Sequence, residues 1–138
     1  MSPKPAARTT GRRRLTLRLL PGKLAVCRLP PGAALPRWAR GPGLVSFTRT
    51  AEELSVVVPE RRVPRGVRAE RGFRALGVQG PLTFSQVGVV ASLAGPLARA
   101  RISIFIVSTF DTDYVLVRDR DLGGALRALR AAGHRLDV

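Results

Sequence analysis

The feature that most limits what this chain can fold into is the order in which its hydrophobic period changes after residue 70. FRALGV (73–78) has strand character. SQVGVVASLAGPLARAR (85–101) then sets Val87, Val90, Ala91, Ala94, Leu97 and Ala98 at helical spacing. Two apolar runs follow, ISIFIV and YVLV, enclosing the polar cluster STFDTD, which reads as a strand pair. DLGGALRALRAAG (121–133) returns to an amphipathic helical pattern, and HRLDV closes as a strand. Ser85 is the expected N-cap of the first helix, and Pro96 is expected to kink or divide it. Gly88, Ala91, Ser92 and Gly95 form a small-residue face that lets that helix sit close to a sheet. Gly133 is the expected C-terminal stop of the second helix, with Asp119 or Asp121 near its start.

That order, strand–helix–strand–strand–helix–strand, specifies an α+β unit of the ferredoxin-like kind. The first half reads as a worn copy of it. LTLRLL (15–20) and KLAVCRL (23–29) flank Pro21-Gly22 and suggest a hairpin. LPRWAR (35–40) has room for a helical turn only, and GLVSFTRT (43–50) with ELSVVVP (53–59) reads as a second hairpin. Residues 50–58 align with 110–118 at an offset of 60, and residues 23–26 with 73–76 at an offset of 50. The expected organisation is a tail at 1–14, a degenerate unit at 15–70 whose first helix is short, and a complete unit at 71–138.

A net charge of +15 invites a nucleic-acid reading. However, 22 of the 24 basic residues are arginine and the chain has no asparagine, which points to a GC-rich coding sequence. Much of the excess sits on Lys4, Arg8, Arg12, Arg13 and Arg14, in a stretch that reads as a solvated, disordered tail. Nucleic acid is therefore not the expected partner. Cys27 is the single cysteine, so an intrachain disulfide is excluded, a buried core position is expected, and a reducing compartment is implied. No apolar run reaches membrane-spanning length, and the cytoplasm is the expected location.

Catalysis finds little support. His134 is the sole histidine, which excludes a multi-histidine metal site and any triad needing a second one. No phosphate-binding GxxxxGK[ST] loop occurs. No catalytic residue, metal or cofactor is expected. Asp111 reads as a turn residue. Asp113, at the start of a strand beside Tyr114, reads either as a ligand contact or as a turn or cap residue. The RNA-binding version of this topology needs exposed aromatics in a K/R-G-F/Y-G/A-F setting, which is absent, and Phe73, Phe105, Phe110 and Tyr114 read better as core. In a βαββαβ unit the loop after the first strand, here residues 80–88, meets the end of the hairpin. Helix-end N–H groups there suit a carboxylate, and Asp113 beside Thr109 and Phe110 suits an amine. Such a site fits the two ends of an α-amino acid.

The segments PLTFSQVGVVASLAGPLA (81–98) and ISIFIVSTFDTDYVLV (102–117) resemble ACT domains of the CASTOR cytosolic arginine sensor family and of small bacterial tandem-ACT proteins. The likeness extends through LLPGKLAVCRLP and SFTRTAEELSVVVPE and covers roughly residues 15–135. It implies a stand-alone regulatory protein that binds an amino acid at an interface between ACT units, with a second copy or another protein as partner. The implied ligand positions are Thr83, Phe84, Ser85, Gln86, Val87 and Gly88 with Thr109, Phe110 and Asp113. The arginine sensor carries a glutamate where this chain has Gln86, so the likeness implies an amino acid without fixing arginine. Arg101 stands where a glycine is common. The alternatives are an ACT module that acts through protein contacts without a ligand, and an RNA-binding ferredoxin-like domain.

Overall fold

A computed structural model describes residues 14–80 and 87–138. The expected tail thus lies outside the described residues except for Arg14, as do Thr83, Phe84, Ser85 and Gln86. The elements are β1 (Thr16–Leu19), β2 (Leu24–Leu29), β3 (Ser46–Arg49), β4 (Leu54–Pro59), β5 (Ala69–Val78), α1 (Val89–Arg99), β6 (Ile104–Ser108), β7 (Asp113–Arg118), α2 (Leu122–Ala131) and β8 (Arg135–Asp137). This is an α+β fold of two ferredoxin-like units in tandem, the first carrying only a short helical turn. Among the described residues no helix is long and apolar enough to cross a membrane.

The chain divides into Pro21–Arg74 and a second unit made of the residues up to Leu20 with Ala75–Val138. The division differs from the expected boundary at 70/71, and strand pairing explains why. β1 pairs antiparallel with the end of β5 (Leu17↔Val78, Leu19↔Leu76) and parallel with β8 (Leu17↔Leu136), so it belongs with the second half of the sequence. β2 pairs instead with β4, from Leu24↔Pro59 to Leu29↔Leu54, and with the start of β5. The expected hairpin of residues 15–29 is therefore replaced by separate pairings, each within its own unit. β5 runs through both units: residues 69–74 close one, and 75–78 open the other.

In the 21–74 unit the order is β3-β4-β2-β5. The β-branched run Val56-Val57-Val58 suits a strand buried on both faces. One side of it packs with Ala25, Cys27, Ala39, Leu54 and Val63, and Leu35, Trp38 and Val45 lie against that cluster. No α-helix covers this face; the turns Arg37–Ala39 and Glu60–Arg62 do so instead. Burial pushes the Cys27 thiol above its ordinary pKa, partly countered by the Arg71 guanidinium, so it is the core thiol the sequence leads one to expect.

In the other unit β7 pairs with β5 and β6, and α1 and α2 bury Val89, Leu93, Leu97, Ala125 and Leu129 against Leu17, Leu76, Val115 and Val117. α1 is shorter than the expected 85–101 stretch. Its N-cap is Gly88 at φ +84°, a left-handed conformation that favours glycine; Ser85, the expected cap, lies outside the described residues. Pro96 lies inside α1 without dividing it. Proline removes the N–H that Ser92's carbonyl would accept from four residues on. His134 supplies the substitute: its Nε2 lies 2.8 Å from that carbonyl, while its Nδ1 accepts the Leu15 N–H at 3.1 Å. The ring is 6% exposed, and this pairing fixes the neutral tautomer protonated at Nε2.

Both helices end alike. After α2, Gly133 (φ +98°) donates to the Arg130 carbonyl at 2.9 Å and His134 to that of Leu129 at 3.1 Å. After α1, Arg101 donates to Ala98 and Ile102 to Leu97, each at 2.9 Å, with Arg101 at φ +63°. These are paired 5→2 and 6→1 closures. They explain why glycine would be common at position 101.

The internal repeat holds at an offset of 59 rather than 60. β3 and β4 superpose in sequence on β6 and β7, since Arg49↔Leu54 and Ser108↔Asp113 are both the pairs next to the turn. The following short turns, Glu60–Arg62 and Asp119–Asp121, obey the same offset.

Candidate functional site

The turn between β6 and β7 is built by Thr109. Its N–H donates to the Thr112 carbonyl at 2.8 Å, and its hydroxyl accepts the N–H groups of Asp111 (3.3 Å) and Thr112 (3.1 Å). A threonine that bonds its own turn in this way sets the loop without help from outside. Thr112 then reaches across to β5, its hydroxyl donating to the Val78 carbonyl at 2.6 Å. The turn is thereby fixed against the end of β5, in the stretch that leads to residues 81–86.

A hollow of about 560 Å³ opens there. Tyr114 lies over Gly77, close enough that a Cβ on the glycine would come within 2.9 Å of the ring. Only glycine fits beneath the ring without a shift. Arg18 stands opposite Gly77 in the β1–β5 register and lines the hollow with Asp111, Gln79 and Thr109. The hollow thus carries one guanidinium and one carboxylate, together with an amide and a phenol. That set matches a small zwitterion: the cation can hold a carboxylate, the anion an amine. No histidine or cysteine lines it. Among the described residues no group of three His, Cys, Asp or Glu side chains could hold a metal.

The sequence-derived positions distribute unevenly around this hollow. Thr109 lines it. Asp113 begins β7, half-buried, and accepts a hydrogen bond from the Ser108 hydroxyl at 2.6 Å; it does not line the hollow. Phe110 is 79% exposed. Val87 is exposed ahead of α1, and the Gly88 carbonyl accepts from the Ser92 N–H (2.9 Å) and hydroxyl (2.5 Å). Thr83, Phe84, Ser85 and Gln86 lie outside the described residues. Sequence reasoning missed Arg18, Gly77, Gln79 and Tyr114. A glycine inside an apolar strand was an available signal, because such a position often marks a close approach.

Comparison with known proteins gives a consistent picture. The model of the ACT domain matches residues 68–131, and a second model, of an N-terminal domain, matches residues 22–66. Protein Atu0741 from Agobacterium tumefaciens is 43% identical over 91% of this chain and 93% of its own, with a TM-score of 0.86. The cytosolic arginine sensor for mTORC1 subunit 1 of Homo sapiens is 44% identical over 50 residues. That match takes in 36% of this chain and spans only 15% of the sensor's length. The regulatory subunit of aspartate kinase from Thermus flavus is 14% identical and matches 87% of this chain and 99% of its own at a TM-score of 0.59, a likeness of fold alone.

Proposed function

We propose that the chain, whose residues 68–131 match the model of the ACT domain, is a small regulatory protein that binds an amino acid in the hollow beside the turn at residues 109–112. The observation that carries this reading is that a guanidinium, Arg18, and a carboxylate, Asp111, line one hollow. Arg18 takes the ligand's α-carboxylate, Asp111 its ammonium group, and the Tyr114 ring over Gly77 gives the apolar floor. Asp113 is a supporting residue in this account, held by Ser108. The likeness over 50 residues to a sensor named for arginine supports the ligand class. Binding changes the balance between conformations or assemblies of the protein, and a partner reads that change.

Thermal unfolding of the full chain with each of the twenty amino acids tests the reading. A ligand at a hundredfold excess over its dissociation constant adds about 2.7 kcal/mol of stability. One or a few amino acids are therefore expected to raise the Tm by several degrees, and Arg18→Gln and Asp111→Asn to remove the rise. Asp113→Asn is expected to keep most of it. If no amino acid moves the Tm, the ligand-free alternative, action through protein contacts alone, replaces this one.

A further inference from the structure

The 21–74 unit carries eleven basic and four acidic side chains, and its fold gathers many of the basic ones. Residues 36–43 and 59–65 run side by side on the face that lacks α-helices. Ala39 and Val63 share one core cluster, Pro59 lies 3.3 Å from the place a Cβ on Gly43 would take, and an Arg62 N–H donates to the Pro42 carbonyl. Arg71 donates to the Pro64 carbonyl at 3.3 Å, bringing the start of β5 to the same place. Arg37, Arg40, Arg61 and Arg65 are all exposed there, and none makes a side-chain hydrogen bond or ion pair among the described residues. Three acids of the unit are placed by other contacts: Glu60 accepts the Gly72 N–H at 2.6 Å, and Glu52 and Glu53 sit in the β3–β4 turn. Like charges held together without internal partners ask for an anion from outside.

We propose that this face is a docking surface for an acidic, extended segment of a partner protein. Guanidinium groups bind carboxylates in a two-pronged geometry and suit such a partner. Three further features favour a polypeptide over a nucleic acid. β3 follows directly from residues 36–43 and pairs, among the described residues, with β4 alone, so its other edge offers backbone groups that only another polypeptide strand can complete. Trp38, the chain's single tryptophan, is partly buried against the core, which disfavours its use as a base-stacking platform. Phe47, 53% exposed on β3, gives an apolar anchor of the type that protein interfaces use. This inference does not depend on the ligand hollow.

Fluorescence anisotropy with the full chain provides the test, using a labelled ten-residue peptide of alternating Glu and Val and a labelled ten-residue oligothymidylate. The triple variant Arg40→Gln/Arg61→Gln/Arg65→Gln is expected to weaken peptide binding at least about tenfold at low salt. The triple variant Arg99→Gln/Arg127→Gln/Arg130→Gln, equal in charge and placed in the other unit, is expected to weaken it less than about twofold. Melting curves of both variants check that the fold is kept. Equal losses in the two variants would reduce the effect to net charge and overturn the proposal. Tighter binding of the oligothymidylate, with the same dependence on Arg40, Arg61 and Arg65, would assign the face to nucleic acid. Absence of peptide binding at low salt would also overturn it.

Discussion

Two hairpins in this molecule close with the same hydrogen bonds, yet the chain leaves them in different ways. Thr50 repeats every bond of Thr109: its N–H meets the Glu53 carbonyl at 2.9 Å, and its hydroxyl accepts the N–H groups of Glu52 (3.1 Å) and Glu53 (3.2 Å). A short turn follows each second strand. After Asp119–Asp121 the sequence LGGALRALRA continues into α2, whereas after Glu60–Arg62 comes Val63-Pro64. A residue before proline disfavours helical geometry, so no helix starts there. The strand pair is therefore the retained part of the repeat, and the helices are the part that varies. One unit covers its core with helices and keeps a hollow at its turn; the other covers its core with Trp38, Leu35 and Val63 and exposes arginines.

The largest expected effect falls on the helical unit, which needs a support that the other does not. His134→Ala leaves the Leu15 N–H and the Ser92 carbonyl buried without partners, at a cost of about 3 kcal/mol in denaturant unfolding. Pro96→Ala restores the N–H that Ser92 lacks, so the same His134 change should cost about 1 kcal/mol less in that background. Equal costs in the two backgrounds would show that His134 does not compensate for the proline.

The shared turn predicts a smaller, matched pair. Thr50→Val and Thr109→Val should each cost about 1 kcal/mol, and the two should agree within about 0.5 kcal/mol, because the same hydroxyl-accepted bonds are lost while the backbone bond is kept. A large inequality would mean that the turns are alike in geometry but not in what they stabilise. The smallest effect compares the two helix ends. Arg101→Gly should stabilise the protein by about 0.5–1 kcal/mol by relieving a left-handed backbone, and Gly133→Ala should destabilise it by a similar amount.

The elements themselves were legible because strands and helices write their periods locally. Residues 43–59 and 102–118 declared their hairpins, and Gly133 declared its helix end. What sequence could not convey was pairing at a distance. Leu15 and His134 are 119 residues apart when they meet, and β1 finds β5 and β8 rather than β2. That one rearrangement moved the unit boundary and brought Arg18 to the hollow, so the most useful cation of the site was invisible in local patterns. Asp113 and Asp111 look alike in a string of letters. The strand register separates them, placing Asp113 against Ser108 and leaving Asp111 at the hollow.

The central claim concerns where a ligand sits, and backbone amide spectra of the full chain titrated with the amino acid that most raises the Tm address it directly. The account predicts saturable shifts concentrated at residues 77–80 and 109–114 and on Arg18, with residues 24–65 nearly unmoved. Shifts centred in the 21–74 unit, or none near the 109–112 turn at saturation, would contradict it.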